Sequence, residues 1–146
     1  MLNGVNLNLL ERRDPAVYGG LSLHELEVRI REWGTQLGCD VLCRQTNSEG
    51  EYVDWCHEAL DWADGVIVNP GAWTHYSYAI RDALEIAGLT AIEVHLSDVE
   101  SREHWRRQSV ISDLVVGRIS GRGADGYRDA LELVARELGI EPPQAA

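Results

Sequence analysis

Lysine is absent from this sequence: all 13 basic residues are arginine. A lysine Schiff base is therefore impossible, and so is a Walker-type phosphate-binding lysine. Any carbonyl chemistry must run on acid–base and hydrogen-bonding groups. Positive charge is scarce too. Against 24 acidic residues the arginines leave a formal net charge of −11, which opposes binding to nucleic acid or an anionic membrane. No apolar run approaches the roughly 20 residues that span a bilayer, and the opening residues spell no secretory signal. Cysteine is limited to Cys39, Cys43 and Cys56. An odd number, without CxxC or HxxxH spacing, argues against a disulfide framework or a zinc site and fits a reducing cytoplasm.

What is present suffices for one domain with a real core: 146 residues, 45% apolar and 25% charged. Short β-branched runs alternate with amphipathic stretches, which predicts strands at 1–3, 40–45, 65–69, 90–95 and 114–119. A first helix starts at Ser22, with Glu25 completing a capping box, and stops at Gly38. Others are expected at 50–63, with Tyr52, Trp55, Cys56, Ala59 and Leu60 on one face, at 76–87 before Gly88, and at 125–138 before Gly139. A shorter one is expected around 102–108. The pattern predicts an α/β domain over 1–140, flavodoxin-like, with a five-stranded parallel sheet and helices on both faces. Pro142 and Pro143 mark a loose tail at 141–146. With three residues before Gly4, either the first strand is very short or the chain continues upstream of Met1.

Open α/β sheets bind ligands beyond the carboxyl ends of their strands. Polar residues gather in that position. Strand one runs into Asn3-Gly4-Val5-Asn6, strand three into Asn69-Pro70-Gly71-Ala72-Trp73-Thr74-His75, and strand four ends in Glu93-Val94-His95-Leu96-Ser97. Each amide or imidazole alone could simply cap a turn. Residues 8–20 make a long βα connection, where about 2–6 residues are common: either a surface loop whose tyrosine simply packs, or a lid with a Gly19-Gly20 hinge. The connection carries Arg12, Arg13 and Tyr18. A phenol ionises near pH 10 and is a poor base at neutral pH, but a guanidinium beside it favours the phenolate. Glu93 and His95, two apart on a strand, share a face, so the carboxylate could orient the imidazole as a proton donor or form a structural ion pair. His24, His57 and His104 are expected on helix surfaces, and Trp33, Trp55 and Trp62 are expected to pack. Residues 121–126 lack full GxGxxG spacing and read as a turn leading into a helix.

The motifs in order resemble those of type II 3-dehydroquinate dehydratases. Asn3-Gly4-x-Asn6-Leu7-Asn8-Leu9-Leu10 with Arg13-x-Pro15-x-x-Tyr18-Gly19 is similar to that family's opening. Gln45-Thr46-Asn47-x-Glu49-Gly50, Asn69-Pro70-Gly71-Ala72-x-Thr74-His75, Ile80-Arg81-Asp82-Ala83-Leu84 and Ile92-Glu93-Val94-His95-Leu96-Ser97 follow. Arg102-Glu103, Arg106-Arg107-x-Ser109 and Gly117-x-Ile119-x-Gly121-x-Gly123-x-x-Gly126-Tyr127 complete the set, over about 2–138.

The resemblance implies a cofactor-free, metal-free lyase of the shikimate or quinate pathway. It implies trimers packed into a dodecamer. Tyr18 would take a proton from C2 of the substrate, Arg13 would keep it ionised, and Asn6 would hold a water at the enolate oxygen. His95, oriented by Glu93, would protonate the departing hydroxyl. Asn69 and the backbone of Leu96 and Ser97 would bind the carboxylate, and His75 and Arg106 the ring hydroxyls. Arg102 would help order the lid, and Asp82 would approach a neighbouring subunit's site. The absent lysine agrees independently, because the unrelated type I enzymes need a lysine imine.

The sequence departs from the family pattern at Val5, Glu11, Asp98, Glu100-Ser101, Arg118 and Arg122. Asp98 is expected to point away from substrate and pair with an arginine such as Arg102 or Arg106. Two other readings stay open: a divergent relative acting on another cyclic hydroxy-keto acid, and a non-catalytic module binding a small acid or flavin.

Overall fold

The computed structural model describes residues 1–144. Five parallel strands form one sheet in the order β2-β1-β3-β4-β5, the flavodoxin-like arrangement. Its centre is β3 (Gly65–Asn69) and β4 (Thr90–Val94). Both are β-branched and nearly continuously buried, as strands covered on two faces must be. β1 is Leu2–Asn3, wedged between β2 (Arg44–Gln45) and β3.

The outer strands are shorter than expected. β2 begins at Arg44 rather than 40, because β1 offers only Leu2 and Asn3 as partners. β5 is Gly117–Ile119. Leu114 and Val115 leave the ladder and pack into the apolar cluster on one face of the sheet.

Alternation along the strands divides the core. Ile67, Ile92 and Val94 face α2 (Leu23–Leu37) and α5 (Asp125–Glu137), meeting Leu26, Ile30, Tyr127 and Leu131. Val66, Val68 and Ala91 face α3 (Glu49–Trp62) and α4 (Tyr78–Ala87), meeting Tyr52, Cys56, Ile80 and Leu84. Truncating a fully buried residue such as Ile80 to alanine should cost about 2–5 kcal/mol. On α3 Tyr52, Cys56 and Ala59 are buried, with Val53 and Trp55 half-buried against the same cluster. Leu60, one residue further round the helix, and Trp62 in its last turn are exposed, a correction to the expected packing of both. Trp33 and Trp55 do pack against the two clusters.

Helix ends follow local chemistry. Ser22 and Glu25 form the reciprocal capping box of α2, which ends at left-handed Gly38. α4 starts two residues later than expected, because Gly71–His75 makes a 3-10 turn and Ser77 then caps Ile80 N. The expected helix at 102–108 is a 3-10 segment, His104–Arg107.

The connection at 8–20 is ordered rather than irregular. A 3-10 segment, Leu7–Arg12, is followed by one turn of helix, α1 (Pro15–Tyr18). Leu7, Leu10 and Tyr18 anchor it in the α2/α5 core. Gly19 and Gly20, with φ of 86° and 75°, reverse the chain into α2.

Of the expected tail, 141–144 is exposed without regular structure, and 145–146 lies outside the described residues. Among the described residues no helix is long and apolar enough to cross a membrane.

Candidate active site

A cavity of about 110 Å³ opens beyond the carboxyl ends of β1, β3 and β4. It exists because two loops approach closely. A Cβ on Gly4 would lie 2.3 Å from the Pro70 carbonyl oxygen, so no side chain fits there. Asn6 follows with φ of 68°, the one non-glycine residue at positive φ among the described residues, a conformation asparagine tolerates. Its N–H donates to Asn47 Oδ1 at 2.9 Å, and Asn47 in turn donates to Asn8, so the turn after β2 fixes the turn after β1. Every residue to which the family resemblance gives a role lines this cavity except Glu93, which lies behind His95, and Asp82. A larger cavity, about 440 Å³, lies at the opposite edge of the sheet around Met1, Trp62 and Leu131. It lacks the convergent amide, imidazole and guanidinium groups of the smaller one, which is therefore the candidate site.

Tyr18 is buried, and its oxygen is the focus of two guanidinium groups. Arg13 Nη2 donates to it closely and Arg102 Nη1 donates at 2.7 Å. Both cations also stack over the ring, at 4.1 and 5.3 Å from its centroid. Guanidinium groups only donate, so the oxygen accepts twice, an arrangement that best satisfies an oxyanion. Arg102 additionally donates to Ser97 Oγ at 3.1 Å. It thus ties the α1 segment to the end of β4.

Glu93 is fully buried. Its Oε1 accepts from Thr74 Oγ1 and from His95 Nε2, each at 2.6 Å, and Oε2 accepts from Ser109 Oγ at 2.8 Å. Burial pushes this carboxyl up. The hydrogen bond and charge of His95, the Thr74 hydroxyl and the Arg118 cation outweigh that and hold it below its ordinary value. With Nε2–H committed to Glu93, Nδ1 is the ring nitrogen His95 offers to the cavity it lines.

His75 stacks on His95, centroids 6.5 Å apart, and Trp105 packs edge-on against His75. The Gln108 carbonyl, 2.6 Å from His75 Nδ1, can only accept, so Nδ1 carries the proton. Burial is the main cause of a lowered His75 pKa. The neutral ring then has Nε2 free to accept from a hydroxyl.

Asn69 is held at both ends of its amide. Oδ1 accepts from Gly71 N and Nδ2 donates to the Tyr127 hydroxyl, which donates onward to Asn3 Oδ1. One N–H of Asn69 remains for a ligand. Among the described residues, the backbone N–H groups of Leu96 and Ser97 donate to no protein acceptor, whereas their carbonyls accept from Gly123 and Gly121. These donors suit an anionic group.

Arg106 reaches the cavity rim, bound to Glu103 at 2.5 Å and stacked on Trp105. Asp82 is exposed on α4 outside the cavity. Asp98 differs from the expected arginine partner. Its Oδ1 caps Glu100 N at 3.2 Å, and Arg102 and Arg106 are engaged elsewhere. It is not among the residues that line the cavity. Thr74, Ser109 and Tyr127 were not singled out as site residues. Each acts by holding one that was, and Thr74 stood directly before His75 in the same motif. Arg118, noted only as a departure, lies against Glu93. Among the described residues no group of three or more His, Cys, Asp or Glu is arranged to hold a metal ion.

The family model described as dehydroquinase class II matches residues 1–135. A 3-dehydroquinate dehydratase of Pelotomaculum thermopropionicum is 49% identical over 139 residues, covering 95% of this chain and 96% of that protein. The 3-dehydroquinate dehydratase of Thermotoga maritima is 47% identical over 138 residues, 94% of each chain. The crystal structure of the type II dehydroquinase from Propionibacterium acnes superposes with a TM-score of 0.88 at 45% identity, covering 92% of this chain and 93% of that one.

Proposed function

The chain belongs to the class II dehydroquinase family and is a hydro-lyase acting on 3-dehydroquinate; we propose that Tyr18 and His95 carry its two proton transfers. The Tyr18 oxygenate removes a proton from C2, beside the substrate ketone, and the electrons move onto the carbonyl oxygen as an enolate. Asn6 holds a water at that oxygen. The enolate collapses, the hydroxyl leaves, and His95 protonates it through Nδ1 while Nε2–H stays on Glu93. Water and 3-dehydroshikimate result. Proton return from Tyr18 to His95 through solvent resets the site.

The observation that carries this reading is the Tyr18 oxygen held by two guanidinium groups in the same cavity as the Glu93-backed imidazole. Asn69 with the Leu96 and Ser97 amides binds the carboxylate, and His75 Nε2 and Arg106 take ring hydroxyls. The protein works in the cytoplasm, in the shikimate or quinate pathway. It assembles as trimers packed into a dodecamer, with Asp82 near a neighbour's site. Tyr76, Tyr78 and Ile86, exposed at and along α4, supply apolar area for that contact.

Incubation with 3-dehydroquinate, followed by ultraviolet absorbance of the conjugated product, tests the reaction. Binding without turnover would favour the small-acid module. Turnover confined to another cyclic hydroxy-keto acid would favour the divergent relative. Light scattering that found an active monomer would remove the assembly.

A further inference from the structure

Arg118 on β5 and Glu93 on β4 are register partners, so both side chains leave the same face of the sheet. Arg118 Nε lies 3.4 Å from Glu93 Oε1, within ion-pair range. It is not aligned to donate, however: Nε and Nη2 are both buried with no hydrogen-bond partner among the described residues. Nη1 reaches Glu100 Oε1 at 3.3 Å. As a device for stability this is poor. Buried donors left empty cost free energy, and apolar residues in place of both Arg118 and Glu93 would fill the same face without that cost. What the guanidinium does contribute is positive charge at Oε1, the carboxylate oxygen that His95 Nε2 also uses.

We infer that Arg118 is a positioning residue for the reaction, acting on His95 through Glu93, with Glu100 as its outer tether. The inference rests on the reading of His95 as the acid. Arg118 secures Glu93 as a carboxylate in a fully buried position. It also competes with the imidazolium for Oε1, so the protonated ring is less completely neutralised than by an unshared carboxylate. Its Nδ1 proton is then released more readily to the leaving hydroxyl. Other ionisable groups face the same pair. His75 stacks on His95 from the Gly71–His75 turn, Arg106 lies beyond it on the His104–Arg107 segment, and Tyr52 approaches Glu93 from α3. The Arg118 charge also lowers the pKa of His75, so Arg118→Val is read again in a His75→Asn background, where a remaining shift belongs to the His95–Glu93 pair.

The test is the pH dependence of kcat and of kcat/KM in Arg118→Val and Arg118→Lys, with His95→Ala alongside. Arg118→Val leaves Glu93 with only His95, Thr74 and Ser109 as partners, so it should fold with a lowered thermal midpoint. Its plateau kcat should fall about threefold to tenfold, and KM should move less. The alkaline limb of the kcat profile should shift up by about 0.5 pH unit or more. Arg118→Lys, which restores the charge, should bring the limb back. A folded Arg118→Val with an unmoved limb overturns the inference. If that variant fails to fold, Arg118→Gln is read in the same way. Turnover retained by His95→Ala removes the acid assignment, and this inference with it. Turnover lost in His95→Ala while the Arg118 variants track the parent protein removes this inference alone.

Discussion

Glutamine at position 93 separates charge from shape. Glu93 accepts from Thr74, His95 and Ser109 at 2.6, 2.6 and 2.8 Å. In Glu93→Gln the amide oxygen can keep the Thr74 and His95 bonds. The amide nitrogen then faces Ser109, whose hydroxyl can turn to accept. The hydrogen bonds are largely retained, but the carboxylate is gone and Arg118 stays 3.4 Å away. Removing one partner of a buried ion pair costs about 3–5 kcal/mol. Arg118 is 22% exposed and keeps Glu100, so the lower end applies. At about 2–4 °C per kcal/mol for a domain of this size, Tm should fall by about 6–12 °C. Without a charged partner the imidazolium loses its stabiliser, and kcat should drop about 10²–10⁴-fold. Urea unfolding and absorbance-monitored turnover read the two effects separately. A kcat within about threefold of the parent, beside a clear loss of stability, would make Glu93 a structural ion pair only. The pH response has a definite sign. A carboxyl held below its ordinary value of 4.5 contributes stability that is fully present above its unfolded value. That stability is lost as pH falls through the folded value. The parent's advantage over Glu93→Gln should therefore hold near neutrality and shrink below about pH 4.5. An advantage that grew on acidification would refute the assignment.

The double change Glu93→Gln with Arg118→Val removes the stranded cation along with its partner. It should recover most of the lost Tm in a thermal scan without recovering kcat. Tyr18→Phe keeps the ring but deletes the oxygen that Arg13 and Arg102 share. Turnover should fall by about two orders of magnitude or more with the circular dichroism spectrum unchanged, and near-normal turnover would remove Tyr18 as the base. Asp98→Asn should change KM less than about threefold, under about 0.7 kcal/mol. Asparagine caps the 102-side turn as aspartate does, and the side chain lies outside the cavity. A tenfold improvement in KM would place that charge in the site.

The elements that the sequence made plain are those whose periodicity is enforced from two sides. β3 and β4 read as apolar runs because helices cover both their faces, and α2 was marked by Ser22, Glu25 and Gly38. β2 and β5 are shorter than their β-branched runs predict, for a non-local reason. Ladder length is set by the neighbouring strand, and β1 offers β2 two residues to pair with. Leu60 fell on the expected apolar face of α3 because helical spacing tolerates an error of one residue, about 100° of rotation. Only packing decides it.

The site divides along the same line. Residues at strand ends were legible because parallel α/β topology carries those ends to one edge. The partner of Asp98 was not, because it depends on which acceptors the nearby arginines had already taken. Arg102 is committed to Tyr18 and Ser97, and Arg106 to Glu103. Asp98 was left to cap its own turn. Arg118 is the strongest instance. Nothing in the order of residues says which side chain of the last strand stands beside Glu93; stagger between β4 and β5 alone decides it. With the register fixed, Glu93 has Val68 opposite it on β3 and Arg118 opposite it on β5. A shift of one residue would have put Gly117 or Ile119 there, and the buried carboxylate would face no cation from the sheet. The electrostatics of the His95 imidazole therefore depend on sheet register, a property no local motif encodes.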